Sequence, residues 1–285
     1  MAWPGTMMTS TTHANFIPEL WTIETINAVE KNLVFANLVS RWDSLAKQGG
    51  DTIHIPNVTN FTAKDKAVST QVDPQATTEG KTDILLNKHK EVSYFVEDFA
   101  KIQANQDLRN TYTEKAGYAI AKAIDDDIAA LYAGAGLSVS CGAAATYAYL
   151  REARRKLSVA EAPMNNRFLV ANSYVIDDML NIDEIKNKDF LNVAGQMPAE
   201  SGQVSRSVLG FQVYESNNIT TGVESTPLYH CMAFQKDAIA LAVQLGPRVQ
   251  YSYQHGWLSE LITFDVIYGV KVLRSAFLCD FQRNV

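Results

Sequence analysis

The sequence predicts an α+β chain in which an extended β-ribbon and one long helix stand beside a compact α/β unit. Three observations carry this. Apolar residues alternate along two arms between residues 51 and 96, a four-residue apolar rhythm runs from Leu108 to Leu131, and helices alternate with strands after Thr146.

The ribbon opens at Gly49-Gly50, runs out from Asp51 to Phe61, turns through a polar stretch from Thr62 to Gly80, and returns from Lys81 to Val96. Ile53 and Ile55 going out, and Ile84, Leu86, Val92, Tyr94 and Val96 coming back, are spaced by twos, so each arm has one apolar face. At about 3.3 Å per residue the arms reach roughly 35 to 50 Å, a length at which a two-stranded hairpin is marginal alone in water. Pro56 removes a ladder donor and marks an edge, while Lys88, His89 and Lys90 charge the returning arm. Another surface is therefore expected to cover the ribbon.

The helix carries Leu108, Tyr112, Ala116, Ile120, Ile124, Ile128 and Leu131 as one apolar stripe, with Arg109, Glu114, Lys115, Lys122 and Asp126 opposite. Gly134 and Gly136, in Ala-Gly-Ala-Gly, are expected to end it in the left-handed conformation. They do not form a phosphate loop, because neither a preceding strand nor a following Lys-Ser/Thr accompanies them.

Residues 1 to 18 form a polar arm with Pro4 and Pro18. It also holds Trp3, Phe16 and Ile17, with Trp21 just beyond, which are costly to expose and suggest strapping across another surface. Residues 19 to 47 show helical spacing. After Thr146 a helix runs to Val159, followed by a strand from Arg167 to Ala171 and a helix from Ser173 to about Asn181. A polar span from Lys186 to Ser207 reads as a loop. Strands are expected at Gly210 to Glu215, Leu228 to Phe234 and Ile239 to Val243, and Ser259 to Asp280 returns to strand chemistry with Phe264, Val266, Tyr268, Val270 and Val272 alternating.

Composition narrows the function by exclusion. The net charge is −6, and the densest basic cluster, Arg151, Arg154, Arg155 and Lys156, alternates with Leu150, Ala153 and Leu157 as a solvated or intersubunit face would. Sequence-specific nucleic-acid binding is not expected, although a mildly acidic wall can still enclose DNA. Three cysteines, far apart, argue against a disulfide framework or zinc, and the five histidines lack ligand spacing. No nucleophile elbow, Walker loop or His-Glu-x-x-His occurs, so no catalytic, cofactor-binding or metal-binding residue is assigned. Asp125, Asp126 and Asp127 splay over about 200° of helix and read as a solvated flank with one partnered member. No stretch reaches the roughly 18 apolar residues of a membrane span, and the N-terminus has no signal pattern, so a membrane is excluded and a cytoplasmic chain is expected.

In this order the segments resemble the major capsid protein of tailed phages, which has the Hong Kong 97 phage-type fold. Asn15-Phe-Ile-Pro-Glu-Leu-Trp21 looks like the arm leading to the first helix, and Gly49-Gly-Asp-Thr-Ile-His-Ile-Pro56 like the start of the extended loop. Asp98 to Gly136 is similar to the spine helix. Leu209 to Ile219, Ala233 to Ala238 and Tyr268 to Arg274 resemble the later strands.

The resemblance covers nearly the whole chain and implies four parts: an N-terminal arm and helix (1–48), an extended β-hairpin loop (49–96), a peripheral domain with the spine helix (97–139 and 259–285), and an α/β axial domain (140–258). It implies pentamers and hexamers closing an icosahedral virion shell around double-stranded DNA without sequence-specific binding. Assembly would occur in the host cytoplasm, with scaffolding, portal and decoration proteins as further partners. Loop and arm contacts between subunits would involve Trp3, Phe16, Trp21, Ile53, Ile55, Phe61, Lys64, Lys66, Ile84 and Leu86, and the spine core Leu108, Tyr112, Ile120, Ile124 and Ile128. Two alternatives keep the fold: an encapsulin-like compartment with an enzyme cargo, and a shell crosslinked by Lys-Asn isopeptide bonds, for which Lys64 and Lys66 sit near the ribbon tip. Solvating the turn is the simpler role for those lysines.

Overall fold

A computed structural model describes residues 35–58, 61–72, 74–76, 79–98, 106–186, 207–219, 221–222 and 228–284. Trp3, Phe16 and Trp21 lie outside the described residues, as does the side chain of Leu108. The first elements are α1 (Phe35–Leu38), β1 (Ser40–Arg41), α2 (Asp43–Ala46), β2 (Thr52–Val58), β3 (Glu79–Leu85), β4 (Lys88–Glu97) and the long α3 (Gln106–Ala129). Next come β5 (Leu137–Ser140), α4 (Tyr147–Val159), β6 (Arg167–Ala171), α5 (Ser173–Leu180), α6 (Asp183–Lys186), β7 (Ser207–Val208), β8 (Phe211–Glu215) and β9 (Thr221–Gly222). The chain closes with β10 (Leu228–Gln235), β11 (Ile239–Gln254), β12 (Ser259–Val272) and β13 (Leu278–Asn284).

Three sheets result: a four-stranded sheet in the order β1-β11-β12-β4, a seven-stranded sheet in the order β5-β13-β10-β6-β8-β7 with β9 beside β10, and the β2-β3 ribbon. β12 is central because it is apolar at every second residue. Ile262, Phe264, Val266 and Tyr268 point to one face and are almost fully buried. Ile120, Ile124 and Ile128 of α3 lie on that face and are 1, 2 and 0% exposed. The seven-stranded sheet buries Leu169, Cys231 and Phe281 against Leu150, Ala153 and Leu157 of α4 and Val175 and Met179 of α5. Asn172 starts α5 by accepting the Val175 N–H at 3.0 Å, a cap that satisfies one of the helix's orphan donors.

Several expectations are corrected. The returning arm is not one strand. Glu79–Leu85 pairs with β2, from Thr52 opposite Leu85 to Val58 opposite Glu79, but Lys88–Glu97 leaves to pair with β12. The reason is that Val92, Tyr94 and Val96 pack into the core beneath α3, so the paired ribbon spans only about 20 Å.

Tyr112 is 57% exposed, not core. Four residues of helix turn through 400°, so an every-fourth stripe drifts by about 40° per step, and Thr113 and Ala116 take the buried positions. Gly134 and Gly136 are not left-handed. The helix instead tightens into a 3₁₀ turn, Ala130–Gly134, and Ala135 is extended. The glycines serve close approach: a Cβ on Gly134 would lie 3.0 Å from Val272 Cγ2, and one on Gly136 2.8 Å from the Ser275 carbonyl oxygen.

The boundary expected at 258–259 falls in the turn of one long hairpin. β11 continues well past Val243 and pairs with β12 from Ile239 opposite Val272 to Gln254 opposite Ser259. The strand-like run to Asp280 is broken by a 3₁₀ turn at Ser275–Phe277, after which β13 crosses to the seven-stranded sheet. The two layers therefore interleave. The Asp trio is also divided, since Asp125 is buried, Asp126 is exposed, and Asp127 is held by neighbours.

Candidate functional site

The ribbon has a buried root and a bare tip. At the root Ile53 faces Ile84 across the strands, and both pack with Leu86, Ala46, Ala240 and Ala242, flanked by Trp42, Ile55 and Leu273. Ile53, Ile84 and Leu86, expected to meet another subunit, are 8, 0 and 8% exposed within their own chain and have little surface left to offer. Period-two apolarity marks a buried face but cannot say whose atoms bury it. The root is further fixed by the Leu86 N–H donating to the Asp51 carbonyl at 2.8 Å and Gln244 Nε2 donating to the Gly50 carbonyl at 2.9 Å. Gly269 of β12 has no side chain to obstruct the Leu85 carbonyl, which lies against it.

Beyond Val58 the described residues 61 to 72 are exposed without a break. Phe61, Val68 and Val72 are 66, 94 and 71% exposed, a cost that a free tip does not recover. Lys64 and Lys66 are among the exposed residues. The tip has local order: the Thr62 N–H donates to Gln75 Oε1 at 3.1 Å, Gln75 Nε2 donates back to the Thr62 carbonyl, and Ser69 adopts a left-handed φ of 64°. His54 reaches Asp83 across the ribbon at 2.6 Å, and Lys81 reaches it along the same strand at 3.3 Å, though such exposed pairs contribute little.

Two carboxylates join β4 to the rest of the fold. Asp127 of α3 receives Lys88 at 2.9 Å and Lys90 at 3.5 Å, and the Tyr268 hydroxyl also donates to it. Burial works to raise the Asp127 pKa, but the hydrogen bonds from Tyr268 and Lys88 and the two lysine charges together hold it below the usual 3.8. Asp265 is gripped bidentately by Arg248 at 2.7 and 2.9 Å and by His89 at 3.2 Å, and these partners lower its pKa as well. Lys88, His89 and Lys90 thus belong to the sheet's anchorage and do not simply charge an edge.

A second exposed element was not anticipated. The β11-β12 hairpin ends in His255-Gly256-Trp257-Leu258, where Trp257 and Leu258 are 77 and 63% exposed and Leu258 holds a strained left-handed φ of 44°. The signal was a tryptophan between two alternating runs. Among the described residues no helix is long and apolar enough to cross a membrane, and no group of three or more His, Cys, Asp or Glu side chains could hold a metal.

A spine helix laid on one sheet, a second sheet with its own helices, and a protruding ribbon with a bare apolar tip define the class: a subunit of a Hong Kong 97 phage-type shell. The chain belongs to the phage capsid protein family, whose sequence model matches residues 43–269, well over half of it. It is similar to the solved structure from Mycobacterium phage Che8, at 25% identity and a TM-score of 0.74 over 87% of this chain and 90% of that one. The capsids of cyanophage P-SCSP1u (16% identity, TM-score 0.68, 88% of each chain) and Ralstonia phage GP4 (10%, 0.69, 87% of each) share the fold. No curated protein matches the sequence significantly. The chain is a capsid protein that builds the virion shell.

Proposed function

We propose that this chain assembles as pentamers and hexamers into an icosahedral shell enclosing double-stranded DNA, acting by binding and not by catalysis. The ribbon tip, with Phe61, Lys64 and Lys66, and the N-terminal arm, with Trp3, Phe16 and Trp21, lie across neighbouring copies. The observation that carries this reading is the contrast along the ribbon, where a root buried in its own chain aims an exposed apolar tip away from it. A rigid root matters because a patch that meets a different patch on the next copy must hold its angle for rings to close. Many modest contacts per subunit then make loss of any one subunit improbable, since all must break together. Assembly takes place in the host cytoplasm, with scaffolding and portal proteins completing the particle.

Deleting residues 64–75 tests the assignment. The truncated chain is expected to stay folded, with the helical content of the parent and a cooperative unfolding transition, while electron microscopy finds no closed shells. Normal closed shells from the deletion would overturn the role given to the tip. Genomic DNA recovered from parent particles supports the virion reading, whereas a single packaged enzyme replaces it with a compartment.

A further inference from the structure

Helix α4 carries an arginine face that no described element covers. Leu150, Ala153 and Leu157 are buried against the seven-stranded sheet, which leaves Arg151, Arg154 and Arg155 exposed between the small residues Ala148 and Ser158. Spacings of three and four place the three guanidinium groups on one side of the helix. A shallow groove of about 510 Å³ runs among them, with Glu152 also in its lining. That carboxylate is taken already: Lys156 pairs with it at 3.0 Å and also donates to the Ser138 carbonyl at 2.6 Å.

Among the described residues, no carboxylate pairs with Arg151, Arg154 or Arg155. A fourth cation lies close by. Arg167 is buried and held by the carbonyls of Ala162 and Pro163, at 2.6 and 2.9 Å, and by the Ser158 hydroxyl at 3.1 Å. Burial, and after it the Arg154 charge, lower the Arg167 pKa, so Arg154 and Arg167 feel each other's charge. In a chain of net charge −6 this concentration of guanidinium, without a carboxylate partner among the described residues, is local and calls for an anion.

Among the described residues, many of the acids that a second copy could offer are already engaged. Asp43, Asp83, Asp127, Asp178, Asp265 and Asp280 are each bound by cationic or histidine partners of their own chain. The exposed carboxylates Glu161, in the turn after α4, Asp177 on α5, Asp183 on α6 and Glu215 on β8 are spread over four segments. A polyanion supplied from outside the chain fits better. The planar guanidinium matches phosphate oxygens in pairs, and a row of three suits a repeating backbone without reading bases.

We propose that the α4 arginine face is the shell's contact with the phosphates of the enclosed nucleic acid, independent of sequence. This rests on the reading that the particle encloses double-stranded DNA. Three charges per subunit hold the outer duplex layer at discrete points, while the acidic remainder of the chain keeps the wall from gripping its contents.

Arginine-selective labelling with a glyoxal reagent, read by mass spectrometry on intact particles, tests it. Labelling of Arg151, Arg154 and Arg155 is expected to be lost in DNA-filled particles and restored in particles emptied of DNA. Protection in both states would mean that a second copy covers the face, and reactivity in both would mean that it is merely solvated; either result overturns the proposal. As a second measurement, the unassembled full-length protein is titrated with mixed-sequence duplex DNA over a range of salt. For R151Q/R154Q/R155Q the slope of log affinity against log salt should be shallower by about 2.7, at roughly 0.9 per phosphate, and an unchanged slope rejects the assignment. Particles that contain no DNA at all would instead overturn the reading on which the proposal rests.

Discussion

Replacing Gly269 by alanine probes how the ribbon is aimed. Gly269 sits within β12 opposite Ala242, directly beneath the last residue of β3. A Cβ there would press into the Leu85 carbonyl oxygen, 3.0 Å from the carbonyl carbon and 3.2 Å from Leu86 Cδ2, where comfortable carbon contacts begin near 3.5 Å. The obstruction is backbone and cannot rotate away, so the ribbon root must lift. Gly269 is not in the left-handed region, so the alanine backbone is allowed, and on that ground alone the change would stabilise by about 0.4–1 kcal/mol. Overpacking costs about 1–3 kcal/mol and decides the sign. At about 2–4 °C per kcal/mol the midpoint of thermal unfolding falls by several degrees, and closed shells are lost because the tip no longer meets its target. Gly246 of β11 is the control. A Cβ there meets nothing within 4 Å, so G246A should be neutral or slightly stabilising and should assemble. Calorimetry and electron microscopy of the two variants decide the matter, and a G269A protein as stable as its parent and forming normal shells refutes the steric argument.

Three further outcomes are expected. Ile124→Ala should cost about 2–5 kcal/mol in denaturant unfolding, whereas Tyr112→Ala should cost under about 1 kcal/mol; equal losses would reject the helix face described above. Asp127 and Asp265 are held below 3.8, so their contribution to stability is complete above that value and disappears as the pH falls through their depressed pKa values. Wild type should therefore lose stability more steeply below about pH 4 than D127N/D265N, and parallel curves would contradict the anchorage. Burial pushes the thiols of Cys231 and Cys279 up to about 12, and that of Cys141 higher still. All three should resist alkylation at mildly alkaline pH until the chain unfolds, and rapid labelling of any one in the native protein would show that the core is open.

The sequence by itself determined the kinds of element and their order. The ribbon, the long helix and the alternating strands of β12 are legible because periods of two and of about 3.6 are local properties of neighbouring residues. The extent of α4 and β6 was legible for the same reason, and the ribbon does open just after Gly49-Gly50, where both glycines take positive φ. Only the tertiary structure decided partners. Ile53, Ile84 and Leu86 read identically whether a second subunit covers them or β11 of the same chain does, and Val92, Tyr94 and Val96 alternate as well against β12 as they would in a ribbon. Pairs such as Lys88 with Asp127, or the carbonyl of Leu85 against Gly269, join residues far apart in the chain and leave no periodic trace. Apolar patterning reports that a face is buried; which atoms bury it is a property of the folded topology.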